Sequence, residues 1–89
     1  MKGIITVIGK DQIGIIAKVC TFLSERGINI LDISQTIIQG YFNMMMITDF
    51  TGVSSRFEEN AAALEQLGAQ IGVKITLQHE DIFNTMHRI

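Results

Sequence analysis

A polar turn between two apolar segments carries the side chains best suited to binding a small molecule. It spans residues 9–14 (G-K-D-Q-I-G) and precedes a segment with helical periodicity. Backbone amides at a helix N-terminus attract anions such as a carboxylate, and Asp11 can accept a hydrogen bond from an ammonium group. Together these properties suit a free amino acid. The alternative is structural, because Asp11 or Gln12 can cap the helix and Gly14 can serve only close packing.

Two further polar side chains, Asn29 and Asp32, stand in a segment of β-branched and other apolar residues. Asn and Asp are unfavourable within strands. Burying either side chain without a hydrogen-bond partner would destabilise the fold by roughly 1–3 kcal/mol. They are therefore either partners for a polar ligand or exposed side chains at a turn or strand edge.

Three other groups of side chains lack a catalytic or metal-binding pattern. Methionines at residues 44–46 alternate faces on a strand, and packing is a commoner use than Cu(I) binding. His79, Glu80, Asp81 and His87 do not have the spacing of zinc ligands. Cys20 lies among apolar residues, with both histidines far along the chain. With no phosphate-binding or nucleophile-elbow motif present, the sequence predicts no enzyme, no metal site and no cofactor.

The composition is that of one small domain. The chain has 89 residues, 47% of them hydrophobic, and a net charge of −2. It has no basic excess to neutralise nucleic acid. A single cysteine cannot form an internal disulfide, which fits a reducing compartment. The N-terminus resembles neither a signal peptide nor a membrane span, so we expect a cytoplasmic protein. A domain this small buries only roughly 60–65% of its unfolded surface and would gain from a partner subunit.

Hydrophobic periodicity divides the chain into strands and helices. Strands are predicted over residues 2–8, 28–39, 41–51 and 73–78, and helices over 13–26, 55–71 and within 79–89. The first strand is expected to be buried on both faces. Gln39-Gly40 is the expected hairpin turn, and Gly27 and Gly72 are expected to end the two long helices.

The same periodicity predicts which side chains share a face. The stripe of the first helix is predicted to contain Ile13, Ile16, Val19, Cys20 and Leu23. One face of the third strand is predicted to carry Phe42, Met44, Met46, Thr48 and Phe50. Residues 55–58 (S-R-F-E) have the capping-box pattern for the second long helix.

This order of elements predicts an α+β fold, the ferredoxin-like βαββαβ sandwich. Right-handed crossovers place two helices on one face of a four-stranded antiparallel sheet. A short C-terminal amphipathic helix follows, with Ile82, Phe83, Met86 and Ile89 on its apolar side. That side can cover the open face of the sheet or a partner subunit's sheet. The predicted organisation is thus a domain over residues 1–78 and a helical tail over 79–89.

Two stretches resemble the signatures of the ACT domain family. Residues 7–19 (V-I-G-K-D-Q-I-G-I-I-A-K-V) resemble its strand, polar turn and helix start, and residues 27–33 (G-I-N-I-L-D-I) its second strand. The resemblance spans residues 1–78. The tail is similar to that of small stand-alone bacterial and archaeal ACT proteins, a group similar to glycine-cleavage-system repressors.

The resemblance implies a regulatory domain that binds a small molecule, usually an amino acid, where two copies join side by side into an eight-stranded sheet. On one side it implies contacts from Asp11, Gln12, Ile13, Gly14 and Ile15. On the other it implies contacts from Asn29, Ile30 and Leu31 of the neighbouring copy, with Asn29 bonding the polar head of the ligand. Many members have Asn and Pro in this turn, where this chain has Asp11 and Ile13; the charge of Asp11 suits an ammonium group and repels a carboxylate.

Two hypotheses follow for the function. The first is an amino-acid-binding regulatory module that works at the interface of a homodimer or higher homo-oligomer. The alternative is a ligand-free module for protein–protein interaction or oligomerisation, which would use the sheet edge and the tail helix. Either would act on an unknown protein effector, without direct contact with nucleic acid or membranes.

Overall fold

A computed structural model describes residues 1–82 of the chain. Its elements are β1 (Lys2–Lys10), α1 (Ile15–Glu25), β2 (Asn29–Ile38), β3 (Tyr41–Asp49), α2 (Phe57–Ile71) and β4 (Val73–His79). A helical turn at residues 80–82 follows β4. The rest of the predicted C-terminal helix, residues 83–89, lies outside the described residues.

The four strands form one sheet in the order β2-β3-β1-β4. All three neighbouring pairs are antiparallel, which confirms the predicted ferredoxin-like fold. Because β1 and β2 both run antiparallel to β3, they point in the same direction on either side of it. β2 and β4 are the two edge strands.

The core lies between one face of the sheet and the two helices. Ile5 and Val7 of β1 pair with Met46 and Met44 of β3, and all four side chains are fully buried. The predicted inner face of β3 is therefore confirmed. The helices and β4 complete the core with Ile15, Val19, Leu23, Leu64, Val73, Ile75 and Leu77.

The opposite face of the sheet is open at one end. The prediction that β1 is buried on both faces is wrong, because the Ile8 side chain is 52% exposed. Its neighbours on this face, Tyr41, Met45 and Ile38, are exposed as well. The physical reason is that α1 and α2 both pack on the other face. Ile4, at the opposite end of the open face, is only 5% exposed.

α1 begins later than its periodicity suggests. Gly14 is its N-cap with φ of +93°, and no side chain caps the helix, so the expected Asp11 or Gln12 cap is wrong. The buried stripe is Ile15, Val19 and Leu23. Ile13 is fully exposed in the turn before the helix. The predicted stripe is therefore wrong at its start, because it counted Ile13 as a helical residue.

Of the three other boundaries of these helices, one prediction is wrong and two are confirmed. Gly72 ends α2 as predicted, with φ of +79°. The capping box at residues 55–58 does not form, because α2 begins at Phe57 without a side-chain cap. The Ser55 hydroxyl instead bonds the side chain of Asn60. Gly27 does end α1, where the Ile28 amide donates to the Leu23 carbonyl at 2.9 Å, as in the common glycine-terminated helix end.

A bulge near the start of β2 decides which way its side chains point. Ile30 pairs with Thr48 and Asp32 with Ile47, so Leu31 is an extra residue in the strand. An extra residue shifts the alternation of all that follow it. As a result Ile30 and Ile33 both lie on the helix side of the sheet, although three positions separate them.

Gly68→Ala is expected to destabilise the fold by about 1–2 kcal/mol. A Cβ at this position would lie 2.7 Å from the Val73 carbonyl oxygen, a backbone atom that cannot yield alone. This overpacking outweighs the helix propensity of Ala, which favours the substitution by about 1 kcal/mol. Urea denaturation measures the change. Gln70→Ala, at an exposed position of the same helix, should stay within about 0.5 kcal/mol of wild type; equal midpoints for both variants would contradict the expected clash.

Gly14→Ala is expected to cost about 1–2 kcal/mol for a different reason. A Cβ there meets nothing closer than the Lys18 Cε at 4.0 Å, but the φ of +93° is unfavourable for a residue with a side chain. Gly14→Asn should cost less, because Asn tolerates left-handed backbone. The free energy of unfolding of the two variants separates strain from crowding; equal losses would argue against backbone strain.

Candidate functional site

Two contacts hold the turn before α1 at the end of β1. The Asp11 amide donates to the Gly40 carbonyl of the β2–β3 hairpin at 2.8 Å. The Gln12 side-chain amide donates to the carbonyl of Ile71, the last residue of α2, at 2.5 Å. The turn therefore bridges the hairpin and the C-terminal end of α2.

The turn presents polar and apolar groups together. The Asp11 carboxylate makes no hydrogen bond or ion pair with residues 1–82, and Ile13 is fully exposed beside it. Since α1 has no capping side chain, the first-turn amides of Ile15 and Ile16 lack a side-chain acceptor. The Ile15 side chain is buried in the core. One end of the fold thus offers a free carboxylate, helix N-terminal amides and an apolar side chain.

The second group of predicted site residues opens β2. Asn29 is exposed, Leu31 is the exposed bulge residue, and Ile30 is partly buried against the core. Asn29 pairs across the ladder with Asp49, whose carboxylate accepts from the Thr51 hydroxyl at 2.7 Å and the Thr51 amide at 2.9 Å.

Asp49 adds a fixed negative charge beside Asn29. The hydroxyl of Thr51, followed by its amide, holds the pKa of the Asp49 carboxyl below its usual range. The N-terminal ammonium group lies 4.0 Å away. Sequence reasoning missed this residue, although Asp followed two positions later by Thr after a strand is the pattern of an Asx turn.

A single chain keeps these two groups apart. Lys10, the last residue of β1, pairs with Tyr41 at one end of β3, whereas Asn29 pairs with Asp49 at the other. Eight residue steps along β1 separate the ends, about 27 Å at the rise of an antiparallel strand. No small ligand spans that distance, so each chain holds two separate halves of the predicted site.

Among residues 1–82, no strand pairs with the outer edge of β2. Its exposed large apolar side chains are Leu31, Ile33, Ile37 and Ile38, and Asp32 is its one charged residue. Natural edge strands that stay unpaired are commonly short, charged or covered. This edge has ten residues and a single charge, and nearly all of its residues are exposed in the described part of the chain.

Other features of residues 1–82 offer little for catalysis. A groove of about 340 Å³ between α1 and α2 is lined by Ala17, Lys18, Thr21, Phe22, Glu25 and Leu67, and it contains none of the predicted site residues. Within the described part of the chain, no three His, Cys, Asp or Glu side chains are grouped to hold a metal ion. None of its helices has the length and hydropathy to cross a membrane.

Comparison with known proteins identifies the type of domain. The sequence model of the ACT domain matches residues 3–78. A UPF0237 protein of Bifidobacterium longum is 58% identical over 88 residues, which cover 99% of this chain and 98% of the relative. A UPF0237 protein of Clostridium acetobutylicum is 53% identical over the full length of both chains.

Solved structures agree with this match. An ACT domain protein from Streptococcus pneumoniae is 42% identical, covers 93% of both chains and has a TM-score of 0.82. The regulatory subunit of aspartate kinase from Thermus thermophilus is 34% identical over 89% of this chain and 51% of that subunit, with a TM-score of 0.67. A protein assigned as a glycine cleavage system transcriptional repressor shares the fold, at 24% identity and a TM-score of 0.76, over 89% of this chain and 47% of the other.

The relatives of this chain include a regulatory subunit. The chain itself has the strand order of the fold, with a polar turn before α1 and polar residues at the start of β2. Both the family match and the relatives cover nearly all of residues 1–78. The chain belongs to the ACT domain family, a family of regulatory ligand-binding modules.

Proposed function

We propose that this protein is a regulatory module that binds a free amino acid between two copies of the chain joined at their β2 edges. The observation that carries the proposal is the separation of the two half-sites by the whole length of the sheet. A second copy, turned end for end, supplies at each end the half that is missing.

Antiparallel pairing of two β2 strands has a defined outcome. If the strands pair over their full length, Asn29 of the partner subunit lies opposite Ile38. Ile38 precedes the hairpin, and the hairpin is bonded to Asp11 through Gly40. The turn of one copy therefore faces Asn29, Ile30 and Leu31 of the other, and a two-fold axis creates two such sites.

The groups gathered there complement an amino acid. The first-turn amides of α1 attract its carboxylate, and the free Asp11 carboxylate accepts from its ammonium group. The side chain of the partner's Asn29 can hydrogen-bond either group. Ile13 and the partner's Leu31 would cover the ligand and strengthen these contacts by excluding water. Asp11 orients the ligand, because it repels the carboxylate toward the helix.

Exposed apolar surface on β2 supports the pairing. Ile33 and Ile37 lie on the helix side of the sheet, opposite Met46 and Phe42, yet both remain exposed. Burying the exposed half of an Ile side chain contributes about 1 kcal/mol. Each copy contributes four exposed apolar side chains from β2, namely Leu31, Ile33, Ile37 and Ile38. Their burial, together with new backbone hydrogen bonds, favours a stable dimer over an isolated chain.

The likeness to an aspartate kinase regulatory subunit supports a regulatory outcome. In the proposed role, occupancy of the two sites changes the stability of the dimer or its affinity for a separate cytoplasmic effector protein. Linkage requires that such an effector, in return, changes the affinity for the amino acid by the same factor.

One observation favours the alternative, a ligand-free interaction module. The open face of the sheet presents Ile8, Ile38, Tyr41 and Met45, which a protein partner could cover without any small molecule. The two functions differ in their response to amino acids, so the binding experiments with free amino acids described below distinguish them.

Ile37→Lys is expected to weaken the dimer at least about tenfold. The substitution removes an apolar contact and, in the register above, places a charge against the partner's Ile30 at both ends of the interface, a loss of about 1.4 kcal/mol or more. Sedimentation equilibrium measures the dissociation constant. Ile8→Lys is the matched control, since Ile37 and Ile8 are 53% and 52% exposed but Ile8 lies on the open face. If Ile8→Lys dissociates the dimer and Ile37→Lys does not, the copies join through the open face instead.

Asn29→Ala is expected to abolish the thermal stabilisation produced by the amino acid that binds. The measurement is the unfolding temperature with glycine, L-serine, L-valine and other free amino acids at millimolar concentration. A ligand at about 100 times its Kd stabilises a fold by about 2.7 kcal/mol, which is several degrees for a domain of this size. Asn43→Ala, an exposed Asn elsewhere, should keep the full shift.

Mixed dimers test whether each site uses two chains. Asp11→Ala and Asn29→Ala each damage both sites of a homodimer, whereas a dimer with one copy of each variant has one intact site. Random pairing of equal amounts makes about half of the dimers mixed, so binding should be restored at about a quarter of all sites, as measured by calorimetric titration. No restoration would place the site within one chain, and no shift with any amino acid in the wild type would favour the ligand-free module.

A further inference from the structure

The Gln12 side chain does more than line the turn. Its amide donates to the Ile71 carbonyl at 2.5 Å, and its Nε2 lies 3.7 Å from the position that a Cβ at Gly72 would occupy. The last carbonyls of a helix have no donor within the helix. Gln12 therefore supplies a donor to the C-terminal end of α2 from a residue far away in sequence.

The other contact of the turn leads in the opposite direction. The Asp11 amide is bonded to Gly40, in the hairpin that joins the edge strand β2 to β3. Through adjacent residues the turn is thus bonded to structure near both edges of the sheet: the hairpin beside β2, and the junction between α2 and β4.

The α2–β4 junction has little room to absorb a displacement. At Gly68 the helix backbone packs so closely on β4 that a Cβ would lie 2.7 Å from the Val73 oxygen and 3.1 Å from the Ile75 nitrogen. The Gly72 amide, which follows Ile71, donates back to the Gly68 carbonyl. Close packing of this kind transmits a shift instead of damping it.

We propose that Gln12 is a positioning residue that couples the conformation of the turn to the α2–β4 junction. Ordering of the turn strengthens the bond to Ile71 and closes the last turn of α2; loss of the bond loosens both. The consequence for ligand binding rests on the proposed function, because an amino acid seated on the turn would be sensed at β4. The coupling itself is a property of the ligand-free chain and is testable without ligand.

Hydrogen exchange of two amides tests the coupling. The amides of Asp11 and Gly72 are both hydrogen-bonded in the structure, one in the turn and one at the helix end. Gln12→Met keeps the length of the side chain but removes the donor. It should speed exchange at both amides by about threefold, the factor expected for one exposed hydrogen bond.

Two further variants make the result specific. Gln12→Lys restores a donor that can reach the carbonyl and should return both rates to wild type, helped by the favourable position of a cation at a helix C-terminus. Gln70→Met makes the same chemical change on an exposed neighbour of Ile71 and should alter neither rate. Unchanged exchange at Gly72 in Gln12→Met would overturn the proposal, as would a change at Gly72 without one at Asp11.

Hydrogen exchange in the presence of an amino acid distinguishes this proposal from the proposed function. With glycine or L-serine at millimolar concentration, wild type should gain protection at Gly72 and Gln12→Met should not. A wild type whose unfolding temperature rises with an amino acid but whose Gly72 exchange stays constant would refute the sensing at β4 and leave the binding function intact. If no amino acid raises the unfolding temperature, the proposed function fails, and the ligand-free comparison still decides whether Gln12 couples the two elements.

Discussion

The direction in which β1 and β2 run governs most of what the chain can do. Both strands are antiparallel to β3 and therefore point the same way. The turn that leaves β1 and the residues that open β2 are consequently at opposite ends of the sheet. A chain with this topology cannot close the site on itself, and its functional unit under our proposal is a pair of chains related by a two-fold axis.

The same topology explains why so much apolar surface remains outside the core. Within residues 1–82, two helices on one face of a four-stranded sheet leave both edges, and one end of the other face, exposed. In a domain this small, the buried fraction of the surface is limited from the start. The exposed side chains of β2 and of the open face are thus a consequence of the architecture, and assembly is the natural way to cover them.

Sequence patterns predicted the elements well where a single period decides the outcome. The alternation in β3, with Met44 and Met46 inward, and the glycine-terminated end of α1 at Gly27 were both predicted from the residues alone. Errors arose where backbone conformation interrupts a period. Gly14 adopts a left-handed conformation that ends the turn and starts α1, which leaves Ile13 outside the helix although its spacing fits the stripe.

The candidate site was predicted less completely than the fold, for reasons that depend on distant contacts. The sequence singled out the turn and the start of β2 as candidates, but it gave no sign of the partner of the Gln12 side chain, since Ile71 is 59 positions away. The same is true of Asp49, whose place beside Asn29 depends on strand register. Long-range pairing of this kind leaves no periodic signal in the sequence.

The position of Tyr41 gives the protein an optical reporter of its own. The chain has one tyrosine and no tryptophan, so its ultraviolet emission comes from a single place. Tyr41 directly follows Gly40, whose carbonyl holds the Asp11 amide, and its exposed ring lies on the open face beside the end of β1. Quenching and anisotropy of the native fluorescence therefore monitor the hairpin next to the turn in unlabelled protein. No other tyrosine or tryptophan contributes overlapping emission.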